Sequence, residues 1–160
     1  MFSVCYADQS PPKVIQDLHT FTPAVLHDYC RHRVQFADYP AIVKEKGKSV
    51  RGIYVTGLTE ANMVKLDFFE GSEYVRVQAK VKLLEKDADG NEREAEGEGQ
   101  DVIVYEFISP ENLEHGEWDF EHFRKERMNM WTVGDWADGQ GESRMKRTCI
   151  MHAPFRVHDA

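Results

Sequence analysis

Leu66-Asp67-Phe68-Phe69-Glu70-Gly71-Ser72-Glu73-Tyr74-Val75-Arg76 joins a helix to a strand and leaves one carboxylate at the joint. Upstream, Thr59 is a good N-cap residue. Ala61, Met63, Val64, Leu66 and Phe69 follow at spacings that suit a helix ending at Glu70. Gly71 is the residue type expected just past a helix end, because it takes positive φ without a Cβ penalty. Glu70 is therefore placed at the negative end of the helix dipole, between an aromatic pair and a glycine. Both the dipole and the apolar flank disfavour its charged form, so a raised pKa is expected. A carboxylate tuned in this way suits general acid/base work near neutral pH. The plainer reading of a lone Glu before a Gly is a solvated helix end.

Downstream, Tyr74 to Leu84 alternates with period two. Val75, Val77, Ala79, Val81 and Leu83 fall on one face, and Arg76, Gln78, Lys80 and Lys82 on the other, which reads as a strand with one wet face. Lys86 to Gln100 is very polar and holds the turn pair Asp89-Gly90, so a long exposed hairpin end is expected, with Asp101 to Ile108 as the returning strand. Towards the N-terminus, Val50 to Gly57 reads as a strong strand and Gly47 as a turn. Tyr39-Pro40-Ala41-Ile42-Val43 reads as a short strand with Pro40 at its start or on an edge. Val25 to Phe36 shows mixed alternation, consistent with one or two strands carrying histidines. Phe2 to Tyr6 reads as a first strand, Ala7 to Pro12 as a loop, and Pro12 as the opening of a helix running to about Leu18. Asp119 to about Trp131 reads as an amphipathic helix. Beyond it, Gly134 to Gly141 is loop-like, Arg144 to Arg147 a solvated basic run, and Cys149 to Val157 a segment able to pack back on the body. Strands dominate, with at least three helices among them, which gives an α+β domain with a curled or barrel-like sheet.

The chain has 160 residues, 41% of them hydrophobic, which suits one domain with one proper core. Mean hydropathy is -0.58, and no segment approaches the roughly 18 apolar residues of a membrane span. No basic stretch followed by an apolar run opens the chain, so no signal peptide is expected. A net charge of -8 argues against nucleic acid or an anionic membrane as the main partner. Cys5, Cys30 and Cys149 are odd in number and far apart, and no C-x-x-C pair occurs. Neither a zinc motif nor a disulfide framework is expected, and a reducing, cytoplasmic setting is the simplest reading. His19, His27, His32, His115, His122, His152 and His158 form no H-E-x-x-H pair. The chain also holds no G-x-S-x-G elbow, P-loop or G-x-G-x-x-G. Cys5, small and inside an apolar run, reads as core before nucleophile. Asp67, one helical turn before Glu70, reads as holding local backbone. Arg76 is a cation able to meet an anion, and reads equally well as surface.

The order Tyr39-Pro40-Ala41-Ile42-Val43, Val50-Arg51-Gly52-Ile53-Tyr54, Leu58-Thr59 and Leu66-Asp67-x-Phe69-Glu70-Gly71-x-x-Tyr74-x-Arg76 resembles the gamma-glutamylcyclotransferase-like superfamily. Within it, the AIG2-like branch is the nearest in pattern. The Tyr105 strand and the Trp118 to Trp131 segment also fit. The resemblance covers roughly residues 1–131, leaving 132–160 as a C-terminal extension expected to pack on the same domain. It implies a small, mixed, mostly antiparallel β-barrel with peripheral helices. It also implies a reaction needing no metal or organic cofactor. The carboxylate matching Glu70 takes a proton from the α-amine of a γ-glutamyl group, that amine attacks the γ-amide carbonyl, and 5-oxoproline closes as the leaving amine is protonated. Such a closure is intramolecular and needs mainly orientation and one shuttling carboxylate.

In the same resemblance Tyr74 orients Glu70, and an N-terminal Y-G-T-L loop binds the glutamyl end through its backbone N–H groups. That loop aligns with Tyr6, Ala7, Asp8 and Gln9, so Gly, Thr and Leu are replaced. Ala does not reach the backbone angles of Gly without cost, and Asp8 sets a negative charge where a carboxylate-bearing substrate is bound. Tyr39 and Arg76 complete the candidate substrate-binding set. Three readings stand: a cyclotransferase acting on an unusual γ-glutamyl amine, a repurposed cyclase or lyase using Asp8 with Glu70 as a carboxylate pair, and a non-catalytic binding module on the same scaffold. The expected partner is a small molecule; the sequence sets no oligomeric state.

Overall fold

The computed structural model describes residues 1–37, 39–95 and 99–118, together with the backbone of residues 155–156. The elements run α1 (Phe2–Tyr6), α2 (Lys13–Gln16), β1 (Thr20–Arg33), β2 (Pro40–Thr56), α3 (Glu60–Glu70), β3 (Tyr74–Lys86), β4 (Glu92–Glu94), β5 (Gln100–Phe107) and β6 (Phe155–Arg156). The strands lie in the order β1-β2-β6-β5-β3-β4. All pairings are antiparallel except β2 with β6. β1 also meets β3, Ala24 to Leu26 against Leu83 to Val81. That short pairing bends the sheet round, so the α+β fold holds a curled, mostly antiparallel sheet rather than a barrel laced along its full length.

Long strands with alternating apolar residues build the core. Ala24, Leu26, Tyr29, Ile42, Val50, Val81, Val102 and Val104 bury one face of the sheet, with Val77, Ala79 and Leu83 packed against them. The apolar alternation of β3 is thus met from Val77 onward, while Val75 is exposed. A second cluster of Cys5, Val55, Leu58, Met63, Leu66 and Tyr105 seats α3 on the sheet. Burying a side chain such as Leu66 contributes about 1.5–3 kcal/mol. A third cluster, of Val34, Ala41, Phe107 and Leu113, closes one end.

Three expectations are corrected. Phe2–Tyr6 is a short helix, not a strand. Its apolar run packs Cys5 into the second cluster beside α3, and Cys5 N–H donates to the Met1 carbonyl at 2.9 Å. Gly47 does not end a strand; β2 runs through it without a break. The β1–β2 register moves there from His27 opposite Ser49 to Tyr29 opposite Lys44, so a bulge sets Asp28 against residues 45–48. Asp28 and Gly47 both have positive φ, +59° and +82°, and the Gly47 N–H donates to Asp28 Oδ1 at 2.9 Å. The helix expected from Pro12 to Leu18 spans only Lys13–Gln16, with Pro12 as its N-cap.

The β3–β4 hairpin turns where its polar sequence places it. Asp87 Oδ1 accepts the N–H groups of Asp89 and Asn91, and Gly90 takes φ +83°. Phe155–Arg156 lies between β2 and β5. The helix expected over Asp119 to Trp131, the loop and basic run that follow it, and the boundary at residue 131 lie outside the described residues. Among the described residues no helix is long and apolar enough to cross a membrane.

Candidate functional site

The α3–β3 corner forms as its sequence dictates. Thr59 Oγ1 accepts the Asn62 N–H at 3.2 Å, and Asn62 Oδ1 accepts the Thr59 N–H at 3.0 Å. This reciprocal cap satisfies two amides at the helix start and is worth about 1 kcal/mol. Asn62, Met63 and Leu66 form the buried face. At the other end Gly71 has φ +72°, and its N–H returns to the Asp67 carbonyl. A single 3-10 turn, Gly71–Glu73, then leads into β3. Glu70 is thus the last residue of α3, half-buried, at the helix's negative pole.

Tyr74 opens β3. Its ring stands edge-on to Phe107 with centroids 5.3 Å apart, and it packs against both the second and third clusters. The backbone places Glu70 and Tyr74 four residues apart across a tight, well-anchored turn.

A polar clamp secures that turn. Arg76 donates to Asp67 through Nε (2.6 Å to Oδ1) and Nη2 (2.5 Å to Oδ2), a two-pronged ion pair. Tyr105, on β5, donates its hydroxyl to Asp67 Oδ1 at 2.7 Å. One carboxylate on the last turn of α3 therefore ties the helix to β3 and β5. The Asp67 hydrogen bond is the main reason the Arg76 guanidinium is held above its ordinary pKa. Arg76, expected as an anion binder or a surface cation, is committed to Asp67. Asp67, expected to hold backbone, holds two side chains.

Among the N-terminal candidates, the Tyr6 side chain reaches the first turn of α3. The Tyr6 hydroxyl is 2.7 Å from His19 Nε2 and 3.4 Å from Asn62 Oδ1. His19 Nδ1 lies 3.2 Å from the Thr56 carbonyl. A carbonyl only accepts, so Nδ1 carries the proton and Nε2 accepts from Tyr6. Asn62 is eight residues before Glu70, about 12 Å along the helix axis. Ala7 adopts φ +56°, ψ +24°, the left-handed conformation that a glycine takes freely. The exposed Asp8 turns onto its own loop, where Oδ1 accepts the Ser10 N–H at 2.9 Å. Gln9 is exposed. Tyr39 packs half-buried on the third cluster, and its carbonyl accepts the Val34 N–H.

The structure therefore brings Glu70, Tyr74 and Arg76 together at one corner. It sets Tyr6 at the other end of α3 and Tyr39 on the third cluster. Sequence reasoning missed Tyr105 as a partner of Asp67, and missed the buried pair His19 and Asn62. Asn62 carried a signal, since it stands three residues after an N-cap Thr. His19 and Tyr105 carried none, because their partners are remote in the chain.

A family model described as gamma-glutamyl cyclotransferase, AIG2-like, matches residues 7–120. Protein AIG2 C of Arabidopsis thaliana is 32% identical over 103 residues, covering 64% of this chain and 56% of that protein. Protein AIG2 B of the same plant is 33% identical over 107 residues, covering 67% and 58%. The match thus spans little more than half the length of these relatives. A solution structure of an Arabidopsis thaliana protein superposes with a TM-score of 0.50 at 24% identity, over 87% of this chain and 92% of that one, a likeness of fold alone.

Proposed function

The chain belongs to the gamma-glutamyl cyclotransferase, AIG2-like family, and from that membership we propose that it releases 5-oxoproline from a small γ-glutamyl amine or amide, with Glu70 as the proton shuttle. The substrate's α-amine nitrogen attacks its own γ-carbonyl carbon. A new N–C bond closes the five-membered ring and the side-chain amide C–N bond breaks. Glu70 takes the proton from the attacking amine and delivers it to the departing one, so it ends as it began. The observation that supports this reading is the corner itself: half-buried Glu70 is the last residue of α3, Gly71 and Tyr74 follow it, and the Asp67–Arg76–Tyr105 clamp lies one turn before it. A single shuttling group is useful only if it is held still relative to both nitrogens.

The altered loop is compatible with this chemistry. Ala7 keeps the left-handed backbone that glycine would adopt. The Tyr6 hydroxyl is engaged by His19, so this reading assigns the glutamyl end to the backbone N–H groups of residues 7–9. Asp8, folded onto Ser10, argues against a carboxylate pair with Glu70. Its charge works against the glutamyl α-carboxylate, which γ-glutamyl amines and γ-glutamyl amino acids share, and a γ-glutamyl amine is the milder case because its leaving group adds no second carboxylate.

The test is 5-oxoproline release from a panel of γ-glutamyl amino acids and γ-glutamyl amines, with Glu70→Gln beside the unchanged chain. Gln is isosteric and does not shuttle a proton, so release is expected to fall at least 100-fold (about 2.7 kcal/mol) with unchanged circular dichroism. Equal release from both proteins would remove Glu70 from the mechanism. No release from any substrate would leave the non-catalytic binding module as the working reading.

A further inference from the structure

A second group of chemically able side chains lies on the β1–β2 ladder. Cys30 and His32 are two residues apart on β1, so they share one face of the strand. Cys30 stands opposite Val43 and His32 opposite Ala41, which puts Glu45, two residues beyond Val43, on that same face at the edge of the Asp28–Gly47 bulge. His32 and Glu45 flank Cys30 and converge over it. The Cys30 sulfur, a His32 ring nitrogen and a Glu45 oxygen all lie within 4.8 Å of one another.

The protonation of His32 gives the group its meaning. His32 Nδ1 is 2.8 Å from the Gly116 carbonyl. A carbonyl only accepts, so Nδ1 carries a proton. In the neutral ring Nε2 then presents a lone pair, and Glu45 Oε2 faces it at 2.9 Å. Two acceptors at that distance need a positive centre between them: a second proton on the imidazole, or a metal ion. A carbonyl behind the ring is the usual outer partner of a metal-ligating histidine, since it fixes the tautomer and aims the free nitrogen.

We propose that Cys30, His32 and Glu45 bind one borderline-soft divalent cation of the zinc class, with a fourth position open to water on the Glu45 side. The donor set is one thiolate, one imidazole and one carboxylate, a combination that suits Zn²⁺ and not the all-oxygen shells of Mg²⁺ or Ca²⁺. Bonds of about 2.0–2.3 Å at tetrahedral angles put neighbouring donors about 3.3–3.6 Å apart. The observed 2.9 Å for the His32–Glu45 pair lies below that spacing, and the 4.8 Å limit for the whole group lies above it. Reaching that spacing is assigned to rotation of the half-exposed Glu45 side chain. Cys30 is 1% exposed, while the Glu45 side chain is 41% exposed and offers the entry path.

Burial, then the carboxylates of Glu45 and Glu117, push the Cys30 thiol above its ordinary pKa, with Lys48 opposing them. In the metal-free group the Cys30 thiol donates towards the Arg31 carbonyl, 3.9 Å away. Binding converts Cys30 S–H to a metal-bound thiolate and releases that proton to solvent, with no oxidant or reductant involved.

The experiment uses the full chain after chelator treatment, titrated with Co²⁺ and then Zn²⁺. One Co²⁺ per chain is expected, with a thiolate-to-cobalt charge-transfer band in the near ultraviolet that Zn²⁺ bleaches. Cys30→Ser should abolish the band, which also separates this sulfur from Cys5 and Cys149. Because Cys30 is buried, Glu45→Gln on the half-exposed side carries the same test without risk to folding. It should weaken Zn²⁺ at least tenfold in competition with a chromophoric chelator. Failure to bind one ion, a band that survives Cys30→Ser, or Zn²⁺ affinity unmoved by Glu45→Gln would each overturn the site and leave an ordinary imidazolium–carboxylate pair. The proposal stands apart from the 5-oxoproline reaction, and neither test depends on the other.

Discussion

Replacing Asp67 by Asn tests whether one carboxylate holds the helix end in place. The variant keeps the shape of the side chain but removes its charge and turns one acceptor oxygen into an NH₂ donor. Asp67 now receives three hydrogen bonds, two from Arg76 and one from Tyr105. With Asn, at least one of those donors meets another donor. A charge-assisted hydrogen bond contributes about 1.5–3 kcal/mol when well buried. The Asp67 and Arg76 side chains are 44% and 29% exposed, so solvent screening brings the expected loss to about 1–2 kcal/mol. For a chain of this length that lowers Tm by about 3–6 °C. Urea melts of Asp67→Asn, Tyr105→Phe and the double variant would measure the loss and its coupling, expected at about 0.5 kcal/mol or more. In the 5-oxoproline assay, kcat should fall about tenfold (1.4 kcal/mol) with little change in KM, because Glu70 is displaced rather than removed. A melt indistinguishable from the unchanged chain, with no coupling to Tyr105, would refute the clamp.

Gly57→Ala should cost about 3 kcal/mol or more in a urea melt, since its Cβ would sit 1.9 Å from the Leu18 carbonyl oxygen at φ +76°; a loss under about 1 kcal/mol would contradict that close approach. Ala7→Gly should stabilise the chain by about 0.5–1 kcal/mol, the left-handed penalty less the added freedom of the unfolded chain; a destabilised variant would mean that the loop does not hold φ +56°. Burial, with Glu106 second, holds the Tyr29 hydroxyl well above the usual tyrosine range. Its contribution is whole below about pH 10, where the unfolded chain also keeps the proton, and is lost at about 1.4 kcal/mol per pH unit above it. Tyr29→Phe should therefore cost about 1 kcal/mol at neutral pH and flatten the alkaline slope of stability; an unchanged slope in that variant would assign the alkaline loss to another group.

The α3–β3 corner, where the proposed shuttle stands, was the most legible part of the chain. A cap residue, a glycine past a helix end and a period-two strand are local signals, and Thr59, Gly71 and β3 behave as those signals require. Local signals failed where the partner is distant. An apolar run of five residues does not distinguish a strand from a helical turn, and Phe2–Tyr6 became a helix because Cys5 packs beside Met63 and Leu66 of α3. In sequence Gly47 reads as a turn because a glycine carries no record of Asp28, nineteen residues earlier, which accepts its N–H. Arg76 looked open to an anion because Asp67 is nine residues away in sequence and across an element boundary. Among the candidate binding residues, the family pattern assigned roles through matched positions, but a matched position did not reveal that the Tyr6 hydroxyl is held by His19.

The left-handed residue in β1 decides what the interior is made of. Ala24 and Leu26 point into the first core cluster, and strict alternation would send residues 28, 30 and 32 after them. Asp28, at φ +59°, resets the count, and Tyr29 is the next side chain in that cluster. A β1 without this step would carry a sulfur and an imidazole inward and expel an aromatic ring. One backbone torsion thus works as a sorting device: it sends Leu26 and Tyr29 into the first cluster and keeps Cys30 and His32 on the opposite face of the same strand. Evolution could exchange the residues on either side of Asp28 almost independently, because inside and outside are assigned afresh at that point.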